Sequence, residues 1–399
     1  MTRILVLGDH RQSLTIARSL AERGDVVIAG VVEGRRSHVR FSRAVVETWA
    51  HPPTDGPSFP DALDAAMARF RPDVLFPVGD LEIRWTADRV GELGVPVAVP
   101  DSDVIRTCQS KPELLRLVTE ISIPATPSTT VSTMTELEAA ADRLGYPIFV
   151  KAHDTLLRVA GRKGIAAASP EDLVNALPAW PGEHERLIVQ RYVEGTRHNV
   201  YYAADRGSLI GAVEVRIDRT NTPDGTGLAV DGRTIPLTPA LLGHTERVIG
   251  ELKYSGVGCT QFLVGDDGSH AFLELNPRLG ANFAVVRAAG LDLASMAVDI
   301  ALDRPVVAPA TRTGIRYGWA LGELDGLIDG LAAREIGVGD AVRTLARMGA
   351  TAVAADVHVA WSWRDPLPAL AGLWYLTGRR LLNHLRRALS HRGGRSTGM

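Results

Sequence analysis

The sequence predicts an α/β protein in which a parallel, doubly wound sheet is followed by antiparallel strands. Over residues 3–99, short apolar runs alternate with amphipathic segments, the pattern of strands joined by helices in a parallel sheet. Further along, the pair Asp267-Gly268 separates two apolar-rich runs. An Asp-Gly pair in that position is the strongest short-range signal for a β-hairpin.

Composition sets the outer limits of the interpretation. The chain has 399 residues, 45% hydrophobic and 23% charged, with a net charge of −2, which favours two to three ordinary domains and gives no general argument for nucleic-acid binding. Cys108 and Cys259 lack any partner motif and are expected to be buried thiols in a reducing compartment. Charges come too early in residues 1–11 for a signal peptide, and no apolar run reaches the roughly 18 residues of a spanning helix. We therefore expect a soluble cytoplasmic protein.

The N-terminal region alternates between the two kinds of element. The apolar runs predict strands at 3–8, 26–32, 73–78 and 95–99, and the amphipathic runs predict helices at 13–23, 59–70 and 81–93. The first turn, Gly8 to Ser13, lacks the G-x-G-x-x-G pattern, so it is interpreted as a structural turn between strand and helix and not as a dinucleotide site.

The middle of the chain contains a candidate phosphate site. After a short helix, a break at Pro112 and a helix to Glu120, a further helix at 135–144 leads into a strand at 146–152 that ends on Lys151. A lysine that closes an apolar strand needs a polar partner for its ammonium group, and a triphosphate would satisfy it.

A loop at 160–165 follows that strand. Gly161 and Gly164 would let backbone N–H groups approach phosphates, and Lys163 adds positive charge. Such a loop after a strand lysine is typical of a mobile lid ordered by nucleotide.

The hairpin predicts a metal site. If Asp267 and Gly268 form the turn, counting outward places Gln261 opposite Glu274 and puts Asn276 on the same face. A carboxylate with two amide oxygens is coordination of the kind Mg²⁺ accepts. On the other face, the pattern predicts that Phe262, Leu273 and Leu275 enter the core. Arg278 follows directly, as a cation for phosphate oxygens.

The surrounding segments are assigned by the same patterns. Two strands are predicted within 201–216, a loop with Arg216, Arg219 and Arg233 over 218–235, and helices at 239–253, 282–289 and 293–301. Asn282 and Arg287 are predicted to lie within reach of the site.

The residues Gln261, Glu274, Asn276, Pro277 and Arg278 resemble the metal and phosphate motif of the ATP-grasp superfamily, and the Gln/Glu/Asn set is closest to its carbamoyl-phosphate synthetase branch. Many members have Asp or Glu where this chain has Gln261, so one negative charge near the metals is missing. The resemblance implies an ATP-grasp fold, preceded by a Rossmann-like parallel-sheet domain and followed by a C-terminal extension.

The resemblance also implies roles for residues at matching positions. Lys111, ahead of a helix and the segment Ser122 to Pro127, and Lys151 would reach the nucleotide phosphates. The lid residues would be Gly161, Lys163 and Gly164. The hinge that recognises adenine would be Gln190, Arg191, Tyr192 and Val193, and His198 would contact ribose. Gln261, Glu274 and Asn276 would bind Mg²⁺ (or Mn²⁺), while Arg278, Lys151 and Asn282 would act in catalysis.

Four regions are expected: an N-terminal domain (1–112), a lid (113–195), a metal and catalytic part (196–308) and a C-terminal extension (309–399). In the extension, a helix is predicted at 338–348 and a strand at 351–359. Residues 370–389 predict a basic amphipathic helix, which fits either a membrane surface or partner, or packing onto its own domain; the second is favoured. Because residues 370–399 contain no motif, they are predicted to be dispensable for chemistry.

The function implied by the resemblance is a C–N ligase of the EC 6.3 type. It would activate a carboxylate as an acyl phosphate and join it to an amine, releasing ADP and phosphate. Two alternatives stay open: phosphorylation of bicarbonate or carbamate, and an ATP-binding regulatory protein without turnover. The expected partners are small-molecule carboxylate and amine substrates, with no nucleic acid, and the resemblance allows a homodimer.

Overall fold

The computed structural model describes residues 1–222, 225–332 and 336–376. The N-terminal part contains β1 (Arg3–Leu7), α1 (Arg11–Glu22), β2 (Val26–Val32), β3 (Glu47–His51), α2 (Phe59–Phe70), β4 (Val74–Pro77) and α3 (Asp80–Ala87). Its four strands pair in parallel in the order β3-β2-β1-β4. The two central strands consist almost entirely of buried apolar residues, which confirms the predicted parallel sheet.

Two N-terminal predictions were wrong in detail, and one strand was missed. The helix predicted at 81–93 ends at Ala87, ahead of a stretch that contains Gly91 and Gly94. The strand predicted at 95–99 makes only a single bridge, between Val97 and Leu75. Strand β3 was missed because this edge strand is mostly exposed and has no apolar run to reveal it.

The second part covers the region predicted as the lid and the helix ahead of it. It contains α4 (Ser102–Gln109), α5 (Lys111–Glu120), β5 (Ser128–Val131), α6 (Met134–Leu144), β6 (Ile148–Ala152), β7 (Ile165–Ala167), α7 (Pro170–Ala176) and β8 (Leu187–Arg191). Strands β5-β8-β6-β7 form an antiparallel sheet. Its inner face has its own apolar cluster, centred on Leu137, Ile148, Val150 and Val189, while Ile188 of β8 packs into the cluster of the large sheet.

The largest sheet has seven strands in the order β13-β12-β9-β10-β11-β14-β15. Its elements, with the helices between them, are β9 (Thr196–Asp205), β10 (Ser208–Thr220), β11 (Ala229–Ile235), α8 (Pro239–Glu251), β12 (Gly256–Val264), β13 (His270–Asn276), α9 (Phe283–Ala288), α10 (Leu293–Ala301), β14 (Arg316–Gly318), α11 (Ala320–Ala332), α12 (Val338–Ala354) and β15 (Val357–His358).

The segment predicted as a loop over 218–235 is instead largely strand, formed by the end of β10 and all of β11. The hydrophobic periodicity of the sequence did not reveal β11, because Asp231 and Thr234 are buried polar residues. Asp231 accepts hydrogen bonds from Arg219 and Arg316, so a buried ionic network replaces the apolar positions.

The region after 309 joins the same sheet. Strands β14 and β15 extend its far edge, and neither β14 nor α11 was predicted. The strand predicted at 351–359 is reduced to Val357–His358, because α12 continues to Ala354. Residues 370–376 are helical, whereas the rest of the predicted basic helix, 377–389, lies outside the described residues.

One continuous apolar cluster connects the N-terminal sheet to the large sheet. It includes Ile4 and Ile16 from the first domain, and Tyr201, Val215 and Phe283 from the second. This packing holds the loops at the carboxyl ends of β1 and β4 against the large sheet. Among the described residues, no helix is both long and apolar enough to cross a bilayer.

Candidate active site

The hairpin of β12 and β13 has the predicted register at the candidate metal-binding residues. Gln261 lies directly opposite Glu274, and Cys259 lies opposite Asn276. On the other side of β12, Gln261 is paired with Asn199 of β9. Because paired residues on neighbouring antiparallel strands share a face, Glu274, Gln261 and Asn199 form one polar row across three strands.

The turn itself differs from the prediction. A five-residue connection, Gly265 to Ser269, replaces the two-residue turn; Gly268 has φ +80° and donates its N–H to Gly265 O at 3.0 Å. A register shift between Gln261 and Phe262 then restores the predicted pairing. Because of this bulge, Phe272 is opposite Phe262 and buried in the core, so the prediction that Leu273 enters the core was wrong.

Three lysines converge on Glu274. Lys163, Lys111 and Lys151 all act on its carboxyl group: burial tends to raise its pKa, but these charges, with a hydrogen bond from Asn276, hold the pKa below its usual range. The Asn276 Nδ2 donates to Glu274 Oε1 at 2.8 Å, which leaves the Asn276 amide oxygen available to a ligand. Among 44 basic residues the chain has just four lysines, and three of them are here. Such a concentration predicts a site for a multiply charged anion.

The lysines reach this point from separate elements. Lys111 begins α5. Its N–H donates to His153 O at 2.9 Å, which connects the start of α5 to the residue after β6. Lys151 lies near the end of β6 and is 6% exposed. Lys111, Lys151, Glu274 and Asn276 line one cavity between the lid and β13.

Burial has a strong effect on Lys151. Burial, together with the charge of Lys111 and against the opposite effect of Glu274, lowers the pKa of the ammonium group from 10.5 to about 8. A bound phosphate chain would relieve both the desolvation and the repulsion.

Arg278 is held by the N-terminal domain. Its Nε and Nη2 donate to the two carboxylate oxygens of Asp80, at 2.6 and 3.0 Å. Asp80 begins α3, and although burial tends to raise its pKa, the Arg278 guanidinium holds it below its usual range. Sequence reasoning missed Asp80 because nothing near it indicates a partner 198 residues away.

The lid loop contains a tight turn. Val159 and Arg162 exchange two backbone hydrogen bonds of 2.9 Å, and Ala160 and Gly161 between them have φ +47° and +74°. Gly164 has a packing role: a Cβ there would lie 2.3 Å from Phe149 Cζ and 3.0 Å from Val150 O. The turn presents the exposed Lys163 towards Glu274.

At the predicted hinge, two backbone N–H groups are already hydrogen-bonded and are not available to an adenine. The N–H groups of Arg191 and Tyr192 donate to Pro127 O and Pro147 O, both at 2.9 Å. Recognition through the hinge would therefore use carbonyl groups and Val193. The Gln190 side chain lies buried at the end of β8.

His198 lies on the other face of the sheet from Glu274. It is paired with Phe262, a core residue, and alternates with Asn199. Its Nδ1 lies 2.6 Å from Oε1 of the fully buried Glu214, which also accepts from Thr238 N at 2.6 Å at the start of α8. Glu214 was not predicted, and the proposed ribose contact of His198 stays a prediction.

Two buried amides have a side-chain oxygen without a hydrogen-bond partner among the described residues. Asn282 Nδ2 donates to Tyr317 Oη at 2.8 Å, while its Oδ1 has no hydrogen-bond partner among the described residues. The Oδ1 of Asn199 likewise has none there, and Asn199 was missed because only the strand register places it beside Gln261. Arg287 donates to Glu22 on α1, and its predicted reach to the site stays a prediction.

The oxygen donors of this site suit an Mg²⁺ ion that is bound together with a nucleotide. Within the described ranges, no three His, Cys, Asp or Glu side chains cluster as a metal site. Glu274 is the single carboxylate of the predicted set, and Gln261 and Asn276 are amides. Mg²⁺ commonly binds through one or two carboxylates plus substrate phosphates and water, and the unsatisfied Asn199 Oδ1 adds an oxygen to this row. The residues fit a metal that arrives with a nucleotide.

Comparison with known proteins gives consistent results. Residues 183–322 match the family described as "ATP-grasp in the biosynthetic pathway with Ter operon". The carbamoyl phosphate synthase large chain of Thermomicrobium roseum is 25% identical over 245 residues, which are 59% of this chain but only 22% of that relative's length.

Solved structures share the fold. A biotin carboxylase complex from Campylobacter jejuni superposes with a TM-score of 0.64 at 17% identity, covering 79% of this chain and 74% of the other. An L-amino acid ligase from Bacillus licheniformis gives a TM-score of 0.62 at 13% identity, covering 77% and 75%. The predicted ATP-grasp fold is confirmed, and residues 183–322 carry a match to an ATP-grasp family.

Proposed function

We propose that the protein is an ATP-dependent ligase that activates a carboxylate as an acyl phosphate and joins it to an amine. The observation that carries this proposal is the convergence of Lys111, Lys151 and Lys163 on Glu274, with Asn276 beside it. Three cations around one carboxylate and two or three amide oxygens suit a triphosphate with Mg²⁺. The likeness to an L-amino acid ligase supports the choice of a carboxylate and an amine as substrates.

The residues of this chain would bind and orient. The three lysines hold phosphate oxygens, and Glu274, Asn276 and Gln261 hold the Mg²⁺ (or Mn²⁺), which supplies charge neutralisation on the transferring group. Arg278 offers its Nη1 to that group, since Asp80 fixes the other edge of the guanidinium. Asn282 orients the substrate through its free amide oxygen. Positioning and electrostatics are the main contributions in phosphoryl transfer.

The proposed reaction has two steps. A carboxylate oxygen attacks the γ-phosphorus, the bond to the β–γ bridging oxygen breaks, and ADP leaves with that electron pair. The amine nitrogen then attacks the acyl carbon, inorganic phosphate departs, and the nitrogen loses a proton. The products are an amide, ADP and phosphate.

A second candidate is phosphorylation of bicarbonate or carbamate. The observation that favours it is the Gln261, Glu274 and Asn276 set in register, together with relatives named as carbamoyl phosphate synthase large chains and biotin carboxylases. The two candidates share the first step and differ in which carboxylate accepts the phosphoryl group.

The test is to incubate the full chain with ATP, Mg²⁺ and pooled carboxylates and amines, and to identify the nucleotide product. We expect sustained release of ADP and phosphate only when carboxylate and amine are both present, since without an amine the reaction stops at the acyl phosphate. With the amine withheld, hydroxylamine should trap the acyl phosphate as a hydroxamate. Glu274→Gln should lower kcat by about a hundredfold, whereas Glu251→Gln, the same change at an exposed position of α8, should leave it unchanged.

Other outcomes have defined meanings. AMP and pyrophosphate would overturn the proposal, because they require attack at the α-phosphate. ADP formation that depends on bicarbonate would establish the second candidate. Tight MgATP binding without turnover for any pool would indicate a regulatory protein.

A further inference from the structure

A second group of cations lies at the junction of the N-terminal domain, the large sheet and the C-terminal segment. Arg11 begins α1, and its guanidinium carbon lies 3.8 Å from the centroid of the Trp319 ring. That stacking orients the guanidinium plane. The Nη1 of Arg11 is buried and has no hydrogen-bond partner among the described residues.

Arg197 points to the same region. It precedes Asn199 and Tyr201 on β9 by two and four residues, so all three side chains share the face of Gln261 and Glu274. Its two terminal nitrogens make only long contacts of 3.4 Å to Gly227 O. Its Nε is buried without a partner among the described residues.

The two arginines differ from other shielded arginines of this chain. Arg278 is paired with Asp80, Arg18 with Asp365, and Arg219 with Asp231 and Glu323. In the part of the chain that the structure describes, no carboxylate forms an ion pair with Arg11 or Arg197. Unpaired guanidinium groups with buried N–H atoms carry a desolvation cost that an anionic ligand would remove.

The electrostatics agree with the geometry. Burial, helped by the charges of Arg197 and Arg278 and opposed by Tyr317 and Tyr201, lowers the pKa of Arg11 to about 10. Positive charge has therefore accumulated without a carboxylate to offset it. A ring hydroxyl and an amide oxygen, from Tyr317 and Asn282, complete the surroundings and could bind neutral or ammonium groups of the same ligand.

We propose that Arg11 and Arg197 bind an oxyanion of a substrate, carboxylate or phosphate, at an end that the reaction does not transform. The two groups of cations act on different partners: the charges that act most strongly on Glu274 are the three lysines, and neither Arg11 nor Arg197 is among them. The inference rests on the proposed ligase function for the identity of the ligand as a substrate. It adds that one of the two substrates has a second anionic group.

The experiment measures anion binding without ATP. The full chain is titrated calorimetrically with malonate and with inorganic phosphate at constant ionic strength, and with malonamide as the neutral counterpart of malonate. We expect saturable binding of at least one of the anions and none of malonamide. Arg11→Gln and Arg197→Gln should each weaken anion binding about tenfold. Arg89→Gln is the matched control, because Arg89 also stacks on a tryptophan, Trp85 at 4.4 Å, but lies outside the site.

Arg11→Lys separates charge from folding: it should restore most of the binding lost in Arg11→Gln, and circular dichroism should show all variants folded. Stronger binding of malonate identifies a carboxylate site, and stronger binding of phosphate a phosphate site. Equal binding by wild type, Arg11→Gln and Arg197→Gln, no anion binding at all, or equal binding of malonamide would overturn the proposal. Because no nucleotide is used, these results do not depend on the outcome of the ligase assay.

Discussion

At the scale of single residues, lysine and arginine have different roles in this protein. The site around Glu274 uses Lys111, Lys151 and Lys163, although the chain has 40 arginines and four lysines. Lysine presents a compact charge whose pKa responds to burial, while arginine stays charged and binds planar oxyanions through two nitrogens. Lysines therefore suit a site that a phosphate chain enters and leaves, and arginines suit permanent partners such as Asp80.

The pKa of Lys151 predicts a pH dependence. In the ligand-free protein the folded pKa is about 8 and the ordinary value is 10.5. As pH falls from 10.5 towards 8, the unfolded chain binds this proton before the folded chain does, so Lys151 lowers the free energy of unfolding across that window. Phosphate binding restores the charge, so we expect MgATP binding above pH 8 to take up close to one proton.

Calorimetry in buffers of different ionisation enthalpy measures that uptake. Lys151→Met should remove most of it and weaken MgATP binding by about 2 kcal/mol. Lys253→Met is the control, since Lys253 is the remaining lysine and is exposed after α8. Proton uptake by Lys151→Met equal to that of the wild type would show that another group titrates.

At the scale of elements, two local irregularities adjust the site. The bulge in the β12–β13 hairpin keeps Gln261 opposite Glu274 while it moves Phe272 into the core. In the lid, the absence of a side chain at Gly164 allows the loop to pass close to Phe149 and thereby sets where Lys163 lies. Both are backbone features with a direct effect on a charged side chain.

The lid glycine yields a second prediction. Gly164→Ala places a Cβ 3.0 Å from Val150 O and closer still to the Phe149 ring. We expect a loss of about 1–3 kcal/mol in the free energy of unfolding and weaker MgATP binding, measured by chemical denaturation and calorimetry. Gly182→Ala is the control within the lid, because no atom lies within 4 Å of its Cβ. Adding Phe149→Leu should recover part of the loss; no recovery would mean that the backbone contact dominates.

At the scale of the whole molecule, the C-terminal segment closes onto the N-terminal domain. Asp365 is buried and accepts hydrogen bonds from Arg18 Nε at 2.9 Å, Ser42 Oγ at 2.6 Å and Arg43 N at 3.0 Å. Farther along, the Arg36 Nη1 donates to Tyr375 O at 2.6 Å. These contacts fix the segment that follows β15 against the domain that contributes Arg11 and Asp80.

A third prediction tests this closure. Asp365→Ala leaves the Arg18 guanidinium without its carboxylate, and we expect a loss of about 3 kcal/mol in the free energy of unfolding. Asp340→Ala is the control, because Asp340 pairs with Arg343 on the exposed surface of α12, where such pairs contribute little. Thermal unfolding of both variants decides the matter: equal melting temperatures would show that the closure adds no stability.

The sequence by itself determined several individual strands, the hairpin and the short motif of this protein. Apolar runs located β1, β2 and β6, and the Asp267-Gly268 pair located the hairpin, but Gln261 lies opposite Glu274 only because the longer turn and the bulge compensate. The E-x-N-P-R string indicated the superfamily. Each of these depends on residues close together in the chain, where side-chain periodicity and turn chemistry act directly.

The tertiary structure alone decided which distant groups meet. Asp80 reaches Arg278 across 198 residues, and Asn199 joins Gln261 through strand order. Strand β11 was hidden because its buried positions are polar, and Arg11 gave no signal in a turn without a motif. Long-range ion pairs and sheet order are set by packing of whole elements, and packing leaves no periodic trace in the neighbouring sequence.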